Sequence, residues 1–128
     1  MADQPEQRFY STAHITALGS YVPVRTITNA DLEKMVETNH EWIVRRTGIE
    51  VRHQADDGQT NGDMAIAAVR NLLERFPAVD PARIDGILVA TTTPDMPFPS
   101  VASQVQRTIG AHKCLAVDIS AACAGFVT

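Results

Sequence analysis

The sequence comprises 128 residues with a formal net charge of −4, and 45% of its residues are hydrophobic. This length suffices for one domain with its own core, and no apolar run approaches the roughly 20 residues that a membrane span needs. The dispersed charge and the aromatic content of 5% argue against a basic, base-stacking nucleic-acid surface. We therefore expect a soluble globular protein with neither nucleic acid nor membrane as a partner.

The sequence contains two cysteines, Cys114 and Cys123, so at most one disulfide could form within the chain. The polar residues 1–8 do not resemble a secretion signal, so a reduced, cytoplasmic setting is expected rather than a disulfide. No Cys-x-x-Cys or His-rich spacing is present, and no metal site is expected.

The first half of the chain predicts short elements. Residues 1–11 are expected to form a flexible leader, and residues 14–18 a first strand that ends in a Gly-Pro turn. A short helix is expected to begin after Thr28 or Asn29. Residues 38–41 match a capping box, which predicts a second helix from Thr38 to about residue 46, with Gly48 as its left-handed cap.

The second half alternates helices and strands. Apolar residues recur at helical spacing over residues 60–76, and Ser100 is expected to cap a helix that ends at Gly110. Strands are predicted over residues 84–90 and 114–119, and a proline-braced loop fills the interval before Ser100. This alternation predicts an α/β fold with parallel strand pairing.

Cys123 follows the last predicted strand and is surrounded by small residues, namely Ala121, Ala122, Ala124 and Gly125. A sharp strand-to-helix turn would place the sulfur at a helix N-terminus, where unpaired N–H groups favour a thiolate and can stabilise an oxyanion. The local sequence leaves two alternatives open, a nucleophile or a buried structural cysteine.

Several other residues that could serve a functional site also have a purely structural interpretation. Trp42, the single tryptophan, is typical of packing on the inner face of a helix, and Phe98 of a core anchor. Cys114 is interpreted as a small core residue of its strand. The four histidines are interpreted as surface or structural residues: His14, His40, His53 and His112.

Several blocks together resemble the N-terminal part of the β-ketoacyl-acyl-carrier-protein synthase III family. The resemblance covers nearly everything from Ile15 to Thr128, and the order and spacing of the blocks make it specific. The blocks are Gly19-Ser20-Tyr21-Val22-Pro23, Asn29-Ala30-Asp31-Leu32, the run Glu41-Trp42-Ile43-Val44-Arg45-Arg46-Thr47-Gly48-Ile49, the loop from Val89 to Ser100, and Ala121-Ala122-Cys123-Ala124-Gly125-Phe126.

The resemblance implies a thiolase-like layered α/β/α/β/α fold. This chain would supply most of the first half, with residues 12–128 forming a half-domain truncated after the nucleophile turn. It implies a homodimeric acyltransferase that initiates type II fatty-acid synthesis. An acyl group from acyl-CoA would load onto Cys123 and condense with malonyl-acyl-carrier protein, with loss of CO2. Acyl-CoA is then a substrate, and no separate cofactor is implied.

The resemblance also implies roles for individual residues. Cys123 would be the nucleophile, Trp42 would stack on the adenine of coenzyme A, and Arg46 would lie near its phosphates. Thr38 matches a residue at the same adenine end, although helix capping remains its alternative role.

Two further positions follow from the resemblance. Phe98 would cross the dimer interface and help to shape the partner's acyl pocket, and acyl preference would depend partly on the loop from Thr92 to Phe98. The family's catalytic His and Asn match no position here, so these 128 residues alone are expected to be inactive.

Three alternatives remain beside this interpretation. A related starter-unit condensing enzyme of polyketide or quinolone biosynthesis shares the motifs. The sequence Cys123-Ala124-Gly125 also resembles the cysteine turn of glutaminase-like hydrolases. A non-catalytic dimerisation or carrier-binding module, in which Cys123 only packs, is the third.

Overall fold

The computed structural model describes residues 12–127, so the leader predicted over residues 1–11 lies outside the described residues. Helices and strands alternate along the described chain, as the sequence predicts. In chain order they are β1 (Thr26–Thr28), α1 (Asn29–Glu33), α2 (His40–Thr47), β2 (Val51–His53), α3 (Asn61–Arg75), β3 (Gly86–Ala90), α4 (Val101–Ile109) and β4 (Leu115–Ile119), with short 3-10 helices at Pro81–Arg83 and Ala122–Phe126.

The core forms around a β3–α4–β4 unit. Strands β3 and β4 pair in parallel, with Gly86 opposite Leu115 and Ala90 opposite Ile119. Parallel strands require a crossover connection, and α4 supplies it. Its residues Val101, Ala102 and Val105 are at most 2% exposed, so α4 contributes most of the buried apolar residues of the described chain. The α/β class with parallel pairing is confirmed here.

Asp118 attaches α4 to the sheet. Its two carboxylate oxygens accept hydrogen bonds from the backbone N–H groups of Val101 and Ala102, each at 2.8 Å. The first N–H groups of a helix have no intrahelical partner, and a negative charge there also interacts favourably with the helix dipole. One side chain on β4 therefore fixes where α4 begins.

Helix α3 packs against α4. Thr60 is its N-cap, and its apolar face includes Val69, Leu72 and Leu73. These side chains, together with residues of β3 and α4, line an apolar gap of about 290 Å³. The helix ends at Arg75, with Phe76 as the flanking residue, one position earlier than predicted.

Strands β1 and β2 form a separate antiparallel pair, in which Thr26 faces His53 and Thr28 faces Val51. Helices α1 and α2 connect these strands and contact each other. The Thr28 side chain caps α1, and Gly48 ends α2 at φ 70°, in the left-handed conformation that glycine adopts without steric cost. The second helix and its glycine cap are confirmed.

The strand predicted over residues 14–18 is wrong, since no strand is formed between residues 12 and 22. This segment lies along α3 instead. Asn71 Oδ1 accepts a hydrogen bond from Ser20 N, and the Arg75 guanidinium donates one to Leu18 O. Side-chain hydrogen bonds from a helix do not form a strand ladder. Among the described residues, no helix combines the length and apolar character that a membrane span requires.

Substitution of Asp118 by Asn tests the attachment of α4. The amide keeps the shape of the side chain but loses the charge and one acceptor oxygen facing Val101 N and Ala102 N. We expect the free energy of unfolding to fall by about 1.5–3 kcal/mol in urea titrations, the range for a lost hydrogen bond to a charged group. Asp85→Asn, an exposed carboxylate before β3, serves as control. Equal stabilities for the two variants would contradict the proposed attachment.

Candidate active site

The candidate catalytic edge lies where β3 and β4 end. The strands are parallel, so their carboxyl ends meet at one edge of the sheet, and Thr91 N donates a hydrogen bond to Ile119 O at 3.1 Å across that edge. The loop of residues 91–100 leaves from β3, and the turn bearing Cys123 leaves from β4. Ligand sites of α/β sheets commonly form at this edge.

Cys123 is exposed and belongs to the five-residue 3-10 helix that follows β4. The preceding residue, Ala122, has φ 45°, a left-handed conformation that is strained for a residue with a Cβ atom. The sharp turn agrees with the prediction, whereas the element after it is a short 3-10 helix with no side-chain cap. Within residues 12–127 Cys123 is therefore not buried.

Gly125 allows this turn to pack closely on the sheet. The residue is buried, and a Cβ atom built on it would lie 3.2 Å from the Ala90 Cβ at the end of β3. That separation is tighter than ordinary van der Waals contact, so only glycine fits without displacement. The cysteine turn is therefore held against β3 as well as connected to β4.

The loop after β3 carries two further candidate residues, Thr92 and Phe98. Both are exposed, and the Phe98 side chain is 86% exposed, so it is not a core anchor within residues 12–127. The Asp95 carboxylate accepts hydrogen bonds from Gly62 N at 3.0 and 3.2 Å and so ties the loop to the first turn of α3. The hydrogen bonds of Asp95 thus anchor the loop, and the Phe98 side chain projects from it toward solvent.

A separate cleft of about 510 Å³ lies between α1 and α2. The Trp42 side chain, 47% exposed, lines it, whereas Ile43 beside it is 7% exposed and belongs to the core. On α2, Ile43 rather than Trp42 is therefore the side chain that packs into the core. The cleft is lined by Leu32, Val36, Glu37, Thr38, Asn39, Trp42 and Ile43.

Arg46 lies one turn after Trp42 on α2. Its guanidinium carbon is 5.0 Å from the centroid of the Trp42 ring, within the range of a cation–π interaction. Among residues 12–127 the salt bridges involve other side chains, Arg25 with Asp57 and Lys34 with Asp31. The charge of Arg46 is therefore not neutralised by a carboxylate in the described part of the chain.

The capping role predicted for Thr38 is wrong. Asn39 is the N-cap of α2, because its side-chain oxygen accepts a hydrogen bond from Trp42 N at 2.8 Å. His40 N instead donates to the Glu33 carboxylate at 2.7 Å. Thr38 Oγ1 is left buried in the cleft wall without a hydrogen-bond partner. A buried hydroxyl without a partner is costly, so this atom is a natural contact for a bound molecule.

Two carboxylates in helix N-terminal capping boxes, Asp31 and Asp63, have lowered pKa values. The Thr28 side chain, its backbone N–H and then Lys34 lower the pKa of Asp31 from 3.8 to about 2. The ionised carboxylate therefore stabilises α1, beside the cleft, above about pH 4, and this contribution is lost as the pH falls toward 2. Hydrogen bonds from the backbone and then the side chain of Thr60 likewise lower the pKa of Asp63 at the start of α3.

The predicted site residues form two groups. Thr38 and Trp42 line the cleft, and Arg46 contacts the Trp42 ring without itself lining the cleft. Cys123 lies at the sheet edge and is not among the lining residues. The four histidines are all exposed. Among residues 12–127, no group of three or more His, Cys, Asp or Glu side chains is arranged to hold a metal ion.

Sequence reasoning missed three polar side chains that position these groups: Asn29, Asp95 and Asp118. Each contacts backbone far along the chain, and no local pattern identifies such a contact. The one available signal was an isolated acidic residue in an otherwise apolar strand, Asp118.

Solved structures with this fold are thiolase-like condensing enzymes. The β-ketoacyl-acyl-carrier-protein synthase III of Thermus thermophilus superposes with a TM-score of 0.82 at 44% identity, over 90% of this chain and 35% of that chain. The 3-oxoacyl-acyl-carrier-protein synthase III of Aquifex aeolicus gives 0.80 at 44% identity, over 87% and 35%. The priming β-ketosynthase of the R1128 polyketide pathway gives 0.79 at 38% identity, over 86% and 33%.

Curated sequences identify the same class more narrowly. The chain is 54% identical to β-ketoacyl-acyl-carrier-protein synthase III of Bacillus pumilus over 115 residues, which is 90% of this chain and 36% of that protein. It is 51% identical to synthase III 2 of Bacillus subtilis, over 90% of this chain and 35% of that protein. No protein-family model matches the chain.

The chain thus spans about a third of the length of the curated relatives that it matches. The resemblance to β-ketoacyl-acyl-carrier-protein synthase III and the thiolase-like α/β fold expected from the sequence are confirmed over that third.

The two cysteines should differ in reactivity toward iodoacetamide. Cys123 is exposed at a turn, whereas Cys114 is partly buried and its thiol donates a hydrogen bond to Ala111 O at 3.1 Å. We expect mass spectrometry of the native protein to find alkylation at Cys123 first, because alkylation requires an accessible sulfur. In 6 M guanidinium, where exposure no longer differs, both sites should react alike. Equal native rates would contradict the structure.

Proposed function

We propose that this chain carries the nucleophile and the coenzyme A-binding cleft of an initiating condensing enzyme of type II fatty-acid synthesis. The observation that carries the proposal is the exposed Cys123 on a strained turn at the carboxyl edge of a parallel sheet, in a chain 54% identical to a β-ketoacyl-acyl-carrier-protein synthase III. Cytoplasmic location, homodimeric assembly and independence from a separate cofactor belong to the same proposal.

The proposed reaction has two half-reactions on one sulfur. The Cys123 thiolate attacks the carbonyl carbon of acyl-CoA, and the coenzyme A thiolate leaves, so that a thioester forms on the protein. Malonyl-acyl-carrier protein then loses CO2, and the resulting carbanion attacks the thioester carbonyl. The Cys123 thiolate leaves, and 3-oxoacyl-acyl-carrier protein is released.

The turn geometry supports a role for Cys123 in the first half-reaction. An attacking sulfur must be reachable by a thioester, and the exposure of Cys123 meets this requirement. Strain at the residue before a nucleophile is a common feature of sites at which one side chain must be aimed, as in strand-to-helix nucleophile turns. The packing of Gly125 on Ala90 keeps that aim fixed.

The cleft between α1 and α2 supports recognition of the nucleotide end of acyl-CoA. The half-exposed Trp42 ring offers a face for adenine, with stacking worth about 1–3 kcal/mol per base. Arg46 beside it offers a guanidinium for phosphate. The unpartnered Thr38 hydroxyl in the cleft wall supplies a polar contact to the same ligand.

The Phe98 loop supports a role in acyl-chain selection. Phe98 is 86% exposed in this chain and would gain from burial, and we propose that it enters the acyl pocket of a second copy of the enzyme. Thr92, at the start of the same loop, would then line the approach to the acyl group.

A related starter-unit condensing enzyme is the second candidate. The 38% identity to the R1128 priming β-ketosynthase favours it, since that protein matches the chain with almost the same TM-score as the fatty-acid enzymes. The two candidates share the chemistry at Cys123 and differ in the acyl group accepted.

Acyl loading tests the nucleophile. The full-length protein incubated with radiolabelled acetyl-CoA should retain label after denaturation, and Cys123→Ala should retain none, because the thioester has no sulfur on which to form. Cys114→Ala is the matched control and should load normally. Label that persists in Cys123→Ala would refute the assignment. Competition with unlabelled branched or longer acyl-CoAs distinguishes the two candidate enzymes.

Trp42→Ala tests the cleft. We expect the KM for acyl-CoA to rise about 10-fold, as expected from loss of one base-stacking contact. Turnover of enzyme already loaded with acyl group should stay near that of the wild type, since adenine is no longer bound in that half-reaction. Trp42→Phe retains an aromatic face and should restore most of the affinity. An unchanged KM in Trp42→Ala would argue against stacking.

A further inference from the structure

Asn29, the first residue of α1, is a polar side chain placed in the core. It is 1% exposed and is the buried polar residue of the described part of the chain. A buried amide destabilises a fold unless its donors and acceptor are paired. The partners of Asn29 therefore indicate which parts of the structure depend on it.

The Asn29 amide is paired on both sides. Its Nδ2 donates to Ile49 O at 3.0 Å and lies 3.3 Å from His40 Nδ1, and its Oδ1 accepts from the Arg52 guanidinium at 2.7 Å. An amide nitrogen only donates, so the His40 ring nitrogen is the acceptor in this pair. Asn29 N donates in addition to Glu50 O at 3.2 Å.

These partners lie at both ends of α2. His40 is the first residue of that helix, Ile49 directly follows the Gly48 cap, and Arg52 belongs to β2. One side chain on α1 thus contacts residues at both ends of α2. Trp42 is on this helix, and the opposite wall of the cleft is formed by Leu32 of α1 and Val36 after it.

We infer that Asn29 is a positioning residue for recognition of the nucleotide portion of acyl-CoA, because it sets the separation of the two cleft walls. This inference rests on the proposed function of the cleft. Asn29 is not among the residues that line the cleft, so it acts on the ligand through α2 rather than by contact.

Only an amide fulfils this role among side chains of this size. Aspartate in its place keeps the acceptor facing Arg52 but has no N–H group for Ile49 O or His40. Leucine matches the volume but removes the acceptor for the Arg52 guanidinium and the donor for Ile49 O. The contacts with α2 therefore depend on the Nδ2 donors, which makes Asn29→Asp the diagnostic substitution.

The test measures coenzyme A binding by isothermal titration calorimetry with the full-length protein. For Asn29→Ala and Asn29→Asp we expect the Kd to rise about 10-fold, which corresponds to loss of one well-paired buried hydrogen bond. Backbone hydrogen exchange in the free protein should accelerate over residues 43–48 and stay unchanged in α4. The kcat of the acyl-loaded enzyme should change little.

Asn71→Ala is the matched control, since it also removes an amide that holds distant backbone, Ser20 N, but lies on α3 away from the cleft. It should leave the Kd for coenzyme A within about 2-fold, whatever it does to the melting temperature. If Asn29→Ala does not fold, His40→Ala removes one partner at an exposed position and should raise the Kd by about 3-fold.

Three results would overturn the inference. The Asn29 variants could bind coenzyme A as tightly as the wild type, or Asn71→Ala could weaken binding as much as they do. Asn29→Asp could also match the wild type in both measurements, which would show that the Nδ2 donors are not needed. If the wild-type protein binds no coenzyme A, the proposed function fails instead, and the exchange rates over residues 43–48 still decide whether Asn29 holds α2.

Discussion

The Asp118 carboxylate joins the two chain segments on which the candidate catalytic edge depends. It accepts hydrogen bonds from Val101 N and Ala102 N, and those residues directly follow the loop that presents Phe98. Asp118 itself lies on β4, which continues directly into the turn of Cys123. A single charged contact therefore keeps the start of α4, the end of the loop and the strand that leads to the Cys123 turn in one arrangement. Because α4 supplies most of the buried apolar residues, the same contact also orients the core.

The ends of helices were predictable from the sequence where the residue type at one position determines them. Thr60 and Ser100 cap α3 and α4 because a hydroxyl at that position accepts a backbone N–H, and Gly48 and Gly110 end α2 and α4 because the left-handed conformation favours glycine. These signals lie within a few residues of the element that they define. The helix pattern and the parallel pairing of β3 with β4 followed from them.

Prediction failed where a distant partner decides the outcome. Thr38 and Asn39 are both good N-caps, and the contact of His40 N with the Glu33 carboxylate accompanies a start of α2 one residue later than the capping-box pattern suggests. Residues 14–18 have the alternating pattern of a strand. Such a pattern predicts which side chains face inward, but it does not identify the partner of the backbone. Here side chains of α3 form hydrogen bonds with Leu18 O and Ser20 N. The contacts of Asn29, Asp95 and Asp118 span between 11 and 33 positions along the chain, beyond any local signal.

The two candidate sites are held by chemically different anchors, and this separation bears on mechanism. A buried neutral amide, Asn29, organises the cleft, whereas an ionised carboxylate, Asp118, organises the edge that carries Cys123. An amide offers donors and an acceptor together and can bridge α1, α2 and β2, which a carboxylate cannot do. A carboxylate suits the start of α4, where every group to be paired is an N–H donor and the dipole favours negative charge. Energetic effects at sites without shared partners are nearly additive. The position of Trp42 and the aim of Cys123 can therefore vary independently, so a substitution that changes the cleft between α1 and α2 need not disturb the turn that carries Cys123.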